Sequence, residues 1–138
     1  MNIRDIYITE FDLNRLRDVL KARINVKVRD RDHLDSLENE LDRAHVVGPS
    51  AIPRDVVTMN SQVRIEDVDT GMENVYTLVF PSDASIPDKK ISILAPIGTA
   101  LLGSRAGGTV DWPVPAGMRT VRIKEVLYQP EAAGDYHL

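Results

Sequence analysis

Two helical stripes of apolar residues open the chain. Leu13, Leu16 and Leu20 recur at spacings of three and four, which places them on one face of a helix. A second stripe with similar spacing is formed by Leu34, Leu37, Leu41 and Ala44. Two stripes of similar length joined by a polar stretch predict an antiparallel helical hairpin, a short coiled coil.

The start of the first helix carries its own signals. Thr9 is a suitable N-cap, and Asp12, three residues later, gives a weaker form of the capping box. Ile8 and Leu13 stand where a hydrophobic staple places its two residues. The first helix is therefore predicted to begin directly after Thr9.

Beyond residue 55 the apolar period shortens toward two, as in β-strands. Strands are predicted at residues 63–65, 75–80, 91–95, 109–112 and 119–128. A short helical turn at 99–102, stopped by Gly103, interrupts them, and 69–71 and 115–117 read as turns. The order β-β-β-α-β-β predicts an α+β fold, an antiparallel or mixed sheet wrapping one short helix.

These patterns divide the chain into two parts. Residues 1–47 form the predicted hairpin and residues 55–138 the β-rich domain. The segment 48–54 between them has a proline near each end, Pro49 and Pro53, and is predicted to be a linker.

Composition narrows the class of protein. The chain has 138 residues, 43% hydrophobic and 28% charged, which is ordinary for a globular protein. It has no cysteine, so disulfides and thiolate ligands are excluded, and a cytoplasmic location is expected. No segment has the apolar run of a signal peptide or membrane span, and the net charge of −4 argues against strong independent nucleic-acid binding. We expect a monomer without a membrane partner.

The common catalytic signatures are missing from the sequence. The serines lack a G-x-S-x-G context, and the glycines near residue 105 follow a helical turn instead of preceding a helix. His33, His45 and His137 have no metal-ligand spacing. We therefore expect no catalytic residues, no metal and no cofactor.

The acidic residues Asp30, Asp32 and Asp35 support two interpretations. At the tip of a protruding hairpin, their carboxylates could share Mg²⁺ with an acceptor that supplies further ligands. Alternatively Asp32 caps the second helix and Asp35 occupies its third position, where acids interact favourably with the helix N-terminus. The residues alone favour the second interpretation.

A small sheet wrapping a helix also suits a prolyl-isomerase-like domain, whose pocket needs an aromatic floor. Aromatic residues make up only 5% of the chain. Trp112 is better explained as part of the core or the sheet surface than as a pocket floor.

The β-rich half resembles the bacterial Gre transcript-cleavage factors. Residues 91–103, ISILAPIGTALLG, are similar to the Gre segment in which a strand runs through Ser-Pro-Ile-Ala into a short helix. A narrower resemblance is to the Rnk group of Gre homologues, regulators of nucleoside diphosphate kinase. Its marks are PRDVVTMNS at 53–61, YQPEAAGDY at 128–136 and ELDRA at 40–44.

The resemblance implies a non-enzymatic transcription regulator with an FKBP-like domain. It would bind RNA polymerase at the secondary channel entrance and compete there with Gre factors. The docking loop of the Gre factors carries over to Ser92, Pro96 and Ile97, and Ala95 stands where those factors have serine.

The resemblance to Gre factors is weaker in the hairpin. Those factors carry a longer coiled coil tipped by Asp-x-x-Glu, whereas this chain has Asp32-x-x-Asp35. A second helix from about 32 to 47 would span only ~24 Å at ~1.5 Å per residue. We therefore expect no stimulation of RNA cleavage. A prolyl isomerase or chaperone-like module and a weak cleavage factor remain the alternatives.

Overall fold

The structure is a computed structural model that describes residues 6–21, 31–114 and 117–135. Its helices are α1 (Glu10–Lys21), α2 (Arg31–Asp42), α3 (Pro96–Leu101) and α4 (Pro130–Ala133). Its strands are β1 (Tyr7–Ile8), β2 (His45–Val46), β3 (Gln62–Asp67), β4 (Glu73–Val79), β5 (Lys90–Ser92), β6 (Thr109–Val114) and β7 (Gly117–Tyr128). The turn predicted at 115–117 lies largely outside the described residues.

The predicted start of α1 is confirmed. The backbone N–H of Asp12 donates to Thr9 Oγ1 at 3.2 Å, so Thr9 is the N-cap. Ile8 is buried and Leu13 packs against the core, as a hydrophobic staple requires. The Asp12 carboxylate is bound by Arg15, one turn along the helix, so the second half of the predicted capping box is not seen.

The predicted second helix has different bounds. α2 begins at Arg31, so Asp32 lies inside the helix and is not its cap. It ends at Asp42, because His45–Val46 forms β2 and pairs in parallel with β1. The N–H groups of His45 and Val47 donate to the carbonyls of Ile6 and Ile8 at 2.8 and 2.9 Å. This two-stranded pairing was not predicted, since its strands are too short to show a period.

The two apolar stripes meet as predicted. Leu16, Leu20, Leu37 and Leu41 are all buried. α1 and α2 contact each other, and Arg17 pairs with Asp42 at 3.3 Å across the two helices. Both side chains are about half exposed, so the pair contributes only ~0.2–1 kcal/mol. Burial of the leucines is the main force that joins the helices.

The five remaining strands form one sheet in the order β5-β4-β3-β7-β6. The predicted sequence of elements, β-β-β-α-β-β, is confirmed for β3 to β7 with α3. A purely antiparallel sheet is wrong, since β4 and β5 are parallel, with Leu78 opposite Ile91. The chain between them passes through the 3₁₀ turn Pro81–Asp83 and a hydrogen-bonded loop before it re-enters the sheet in the same direction. The sheet is therefore mixed.

One hydrophobic core includes residues of the hairpin and of the sheet. Ile6, Leu16 and Leu37 belong to the same cluster as Val63 and Ile123. Gly103, which ends α3 at a φ of +80°, lies so close to Ile6 that an added Cβ would be 2.8 Å from Ile6 Cγ1. The predicted linker contains a 3₁₀ turn, Pro49–Ala51, followed by the buried Ile52.

Candidate functional site

The four residues predicted to bind a partner lie at one edge of the sheet or directly after it. β5 is an edge strand, and it leads through a tight turn into α3. The Leu94 N–H donates to Ser92 Oγ at 3.0 Å, and the Ala95 N–H donates to the Ser92 carbonyl at 3.1 Å. Pro96 is the first residue of α3. We call residues 92–97 the docking loop; Ser92, Ala95, Pro96 and Ile97 are all half-buried.

The docking loop is held by two residues just after it. A Cβ on Gly98 would lie 2.1 Å from the Ser92 carbonyl oxygen, so only glycine fits there. Thr99 Oγ1 donates to the carbonyl of Ile93 at 2.7 Å, and Ile93 is fully buried. The loop is thus fixed by contacts made underneath it, while one side of it stays accessible.

The docking loop also connects physically to the hairpin. Ile97 and Leu94 pack against the core, so Ile97 only partly faces solvent. α2 contacts α3, and Leu101 at the end of α3 is buried in the core that Leu37 shares. A short helix therefore lies between the predicted docking surface and the helical arm, which is our name for residues 6–47.

Of the three acidic residues predicted at the hairpin tip, the structure describes the side chain of Asp35 alone. Asp30 and the side chain of Asp32 lie outside the described residues. Asp35 is exposed on α2 and has interactions of its own. Within residues 6–21, 31–114 and 117–135, no cluster of three or more acidic or histidine side chains could hold a metal ion. The sequence therefore remains the basis for any role of the hairpin tip.

A buried polar cluster lies where the arm meets the domain, and sequence reasoning missed it. Thr58 Oγ1 donates to Glu131 Oε1 at 2.5 Å and lies 2.9 Å from Ser61 Oγ. Thr58, Ser61 and Glu131 are all buried, as is Asp12 of α1. Asp12 in turn is bound by Arg15. We call these five residues the junction cluster.

Burial dominates the electrostatics of the junction cluster. Desolvation raises the pKa of Glu131 above its ordinary value; the hydrogen bond from Thr58 opposes this shift, and the nearby charge of Asp12 adds to it. Desolvation also raises the pKa of Asp12, although Arg15 acts in the opposite direction. The Arg15 guanidinium lies over the Phe11 ring at 3.9 Å and the Phe80 ring at 4.5 Å. Two carboxyls and one arginine therefore share a poorly solvated junction.

The residues after β7 fasten a second part of this junction. Gln129 is buried, and its Nε2 donates to the carbonyls of Pro53 and Val56, both at 2.7 Å. α4 then begins at Pro130 and ends at Ala133, and it is followed by Gly134, whose φ is +81°. Pro at the first position and Gly after the last are helix-boundary signals that could have predicted α4 from the sequence.

A shallow groove of about 300 Å³ lies beside α4. It is lined by Arg54, Val126, Leu127, Tyr128, Gln129, Ala132 and Ala133. Tyr128 is the one aromatic residue among them, and its hydroxyl donates to Asp135, which raises the pKa of Tyr128 to about 12. Because the single aromatic side chain of this groove is hydrogen-bonded to Asp135, the groove differs from the aromatic-floored pocket that an isomerase needs.

Comparison with known protein families gives two adjacent matches. A family model for the C-terminal part of the transcription elongation factors GreA and GreB matches residues 52–128. A model for the Rnk N-terminus matches residues 4–47.

In the described part of the chain, no helix has the length and apolar character needed to cross a membrane.

Individual relatives agree with these models. The regulator of nucleoside diphosphate kinase of Escherichia coli K12 is 46% identical over 105 residues, which are 75% of this chain and 77% of that protein. The transcription elongation factor GreA of Clostridium botulinum (strain Alaska E43) is 39% identical over 90 residues, which are 65% of this chain and 56% of GreA. A solved GreA/GreB structure from Nitrosomonas europaea superposes with a TM-score of 0.75 at 44% identity, covering 90% of this chain and 98% of that one.

Proposed function

Since the chain belongs to the GreA/GreB family of transcription factors and to its Rnk group, we propose that it binds RNA polymerase at the secondary channel entrance and competes there with Gre factors. Its family makes the protein a Gre-like regulator related to transcription elongation. The polymerase is the partner implied for the docking loop. Such a protein would act in the cytoplasm as a monomer, and its sheet domain would be FKBP-like.

The docking loop is the observation that carries this proposal. It lies inside the region matched by the Gre family model, and Gly98 and Thr99 hold it in a fixed shape. A preformed loop loses little conformational entropy on binding, which favours affinity. Ser92, Ala95, Pro96 and Ile97 would make the contacts, with Ala95 lacking the hydroxyl of the Gre serine.

The test is competition for core RNA polymerase between this protein and a labelled Gre factor. We expect displacement of the Gre factor as this protein is added. An absence of displacement at concentrations that saturate any direct binding would contradict the proposal.

Two substitutions at one position separate docking from folding. Serine or aspartate at position 95 can each cap α3, because both are preferred N-cap residues. Ala95→Ser should bind polymerase at least as well as the wild type, whereas Ala95→Asp places a charge in the contact and should bind at least ~10-fold more weakly, the cost of ~1.4 kcal/mol. Equal polymerase affinity of the two variants would show that position 95 does not contact the polymerase.

We further propose that the protein does not stimulate RNA cleavage and is not itself an enzyme. The described part of α2 has 12 residues and, at ~1.5 Å per residue, spans ~18 Å. The arm, here regarded as a short coiled coil, would therefore hold Asp30, Asp32 and Asp35 away from the catalytic metal of the polymerase. A cleavage assay on backtracked complexes tests this; robust cleavage that is lost in Asp32→Ala would support the weak-cleavage alternative.

A prolyl-isomerase or chaperone-like activity is the remaining alternative. The groove beside α4 offers one aromatic side chain, Tyr128, which is already tied to Asp135. We therefore expect no acceleration in a proline-peptide isomerisation assay. Measurable acceleration at catalytic amounts of protein would revive this alternative.

A further inference from the structure

We propose that the C-terminal segment Gln129–Asp135 is a clamp that positions the helical arm relative to the docking loop, with Gln129 and Glu131 as its positioning residues. The inference deepens the proposed function and rests on it where polymerase binding is concerned. The match to the Gre family model ends at residue 128, directly before this segment. The clamp would thus lie outside the part of the chain that the Gre model matches, in the phrase YQPEAAGDY that resembles the Rnk group.

The first contact of the clamp holds the connection between arm and domain. Gln129 Nε2 donates to two carbonyls, those of Pro53 and Val56, each at 2.7 Å. α4 also contacts the 3₁₀ turn Pro49–Ala51, which follows the arm directly. Residues 49–56, which could act as a hinge, are therefore in contact with the residues after β7 at both ends. The Val56 carbonyl is buried, and a buried carbonyl that loses its donor is costly, so this contact resists opening.

The second contact reaches toward the base of α1. Glu131 is buried and accepts a hydrogen bond from Thr58, in the turn that precedes β3. The charges of Asp12 and Arg15 on α1 both act on the pKa of Glu131: Asp12 raises it and Arg15 lowers it. Arg15 also stacks on Phe80 at the end of β4. The hydrogen bond between Thr58 and Glu131 therefore joins the turn before β3 to the residues after β7, near the point where the arm meets the domain.

Both contacts converge on the helix that carries the docking loop. Val57 follows Val56, whose carbonyl accepts from Gln129. Val57 exchanges backbone hydrogen bonds with Gly103 and Ser104 just after α3, at 2.9 and 2.8 Å. Gly103 packs on Ile6 at the start of the arm. Release of Gln129 would loosen residues 53–57 and, through them, the relation between arm and loop.

The test measures the arm directly in the free protein. The chain has no cysteine, so spin labels can be placed at Asp18→Cys on α1 and Thr109→Cys on β6, both at exposed positions. Distance distributions are then recorded by double electron–electron resonance. We expect a narrow distribution for the otherwise unaltered chain and a clearly broadened one for Gln129→Ala. The matched control is Gln62→Ala, the same change at an exposed position on β3, which should leave the distribution narrow.

A second pair of variants covers the case in which Gln129→Ala does not fold. Glu131→Ala removes the acceptor of Thr58 and should broaden the distribution, whereas Glu131→Gln keeps an acceptor oxygen and should restore the narrow one. Distributions in Gln129→Ala and Glu131→Ala that are as narrow as in the control would overturn the clamp.

Polymerase affinity supplies a separate readout. If the competent arm position falls to between a half and a tenth of the population, the apparent Kd of Gln129→Ala for polymerase rises about two- to tenfold. Gln62→Ala should bind as the unaltered chain does. Failure of the unaltered chain to bind polymerase would contradict the proposed function, while the distance distributions would still decide the clamp.

Discussion

Single residues at the docking loop and the junction cluster have roles that their types make testable. Ala95 is the N-cap of α3 and makes no side-chain capping hydrogen bond. Glu131 is a carboxyl group held in a poorly solvated position. The first is a place where stability can be added, and the second is a place where stability depends on protonation.

The change Ala95→Ser should stabilise the protein. A serine hydroxyl can accept a hydrogen bond from an early N–H of α3, and such caps contribute about 0.5–2 kcal/mol relative to alanine. The gain should appear as a higher urea midpoint with an unchanged slope. An unchanged midpoint would mean that the first turn of α3 cannot present an N–H to the cap.

Protonation of Glu131 should make stability depend on pH. Because the folded pKa lies above the ordinary 4.5, the folded state binds this proton more tightly than the unfolded state does. The resulting stability is fully present below the unfolded pKa and is lost as the pH rises through the raised folded pKa.

Glu131→Gln cannot lose a proton and keeps an acceptor for Thr58. Its advantage over the wild type should therefore grow from acidic to neutral pH, measured as the difference in urea midpoint. The stability of the variant itself should still depend partly on pH, because burial also raises the pKa of Asp12. A difference that stays constant across this range would contradict the assignment.

At the scale of elements, the turn between β5 and α3 depends on one close approach. Gly98 lies against the carbonyl of Ser92. At Gly48 an added Cβ would have no atom within 4 Å, and the φ of this residue is −67°. The two glycines therefore provide a matched comparison. Neither requires a left-handed backbone, so the difference between them is purely one of space.

Gly98→Ala should destabilise the protein by about 1–3 kcal/mol, the usual cost of forcing a methyl group into a packed site. The alanine must push α3 away from β5, so polymerase binding should weaken as well. Gly48→Ala should be close to neutral in both measurements. Urea unfolding of the two variants decides the point, and equal stability of both would show that the turn can yield.

At the scale of the whole molecule, the arm and the sheet share one core. Leu16, Leu37 and Ile6 pack in the same cluster as Leu101 and Ile123. The predicted linker at 48–54 divides the chain where the apolar spacing changes from helical to strand-like. The shared core nevertheless makes the folding of each part depend on the other.

Unfolding should therefore be a single transition. Far-ultraviolet circular dichroism reports largely on the helices, and the fluorescence of Trp112, the single tryptophan, reports on the strand β6. We expect the two urea curves to coincide, as two-state unfolding requires. A helical signal that is lost at lower urea would show that the arm melts independently.

The sequence by itself determined the parts of this protein that rest on local patterns. The start of α1 at Thr9, the leucine stripes, the succession from β3 to β7 and the stop of α3 at Gly103 follow from period, caps and glycine. The phrases around residues 91–103 and 128–136 pointed to the family that the comparisons support. Such features lie within a few residues of one another, so the chain displays them directly.

Only the tertiary structure decided the features that join distant residues. The parallel pairings of β1 with β2 and of β4 with β5 have no periodic signature, because each involves a strand of only two or three residues. The bond from Thr58 to Glu131 crosses 73 positions, and the two bonds of Gln129 cross 76 and 73. Whether a polar residue is buried and which group satisfies it depends on how the whole chain packs, so no local pattern could place these residues at the junction of the arm and the domain.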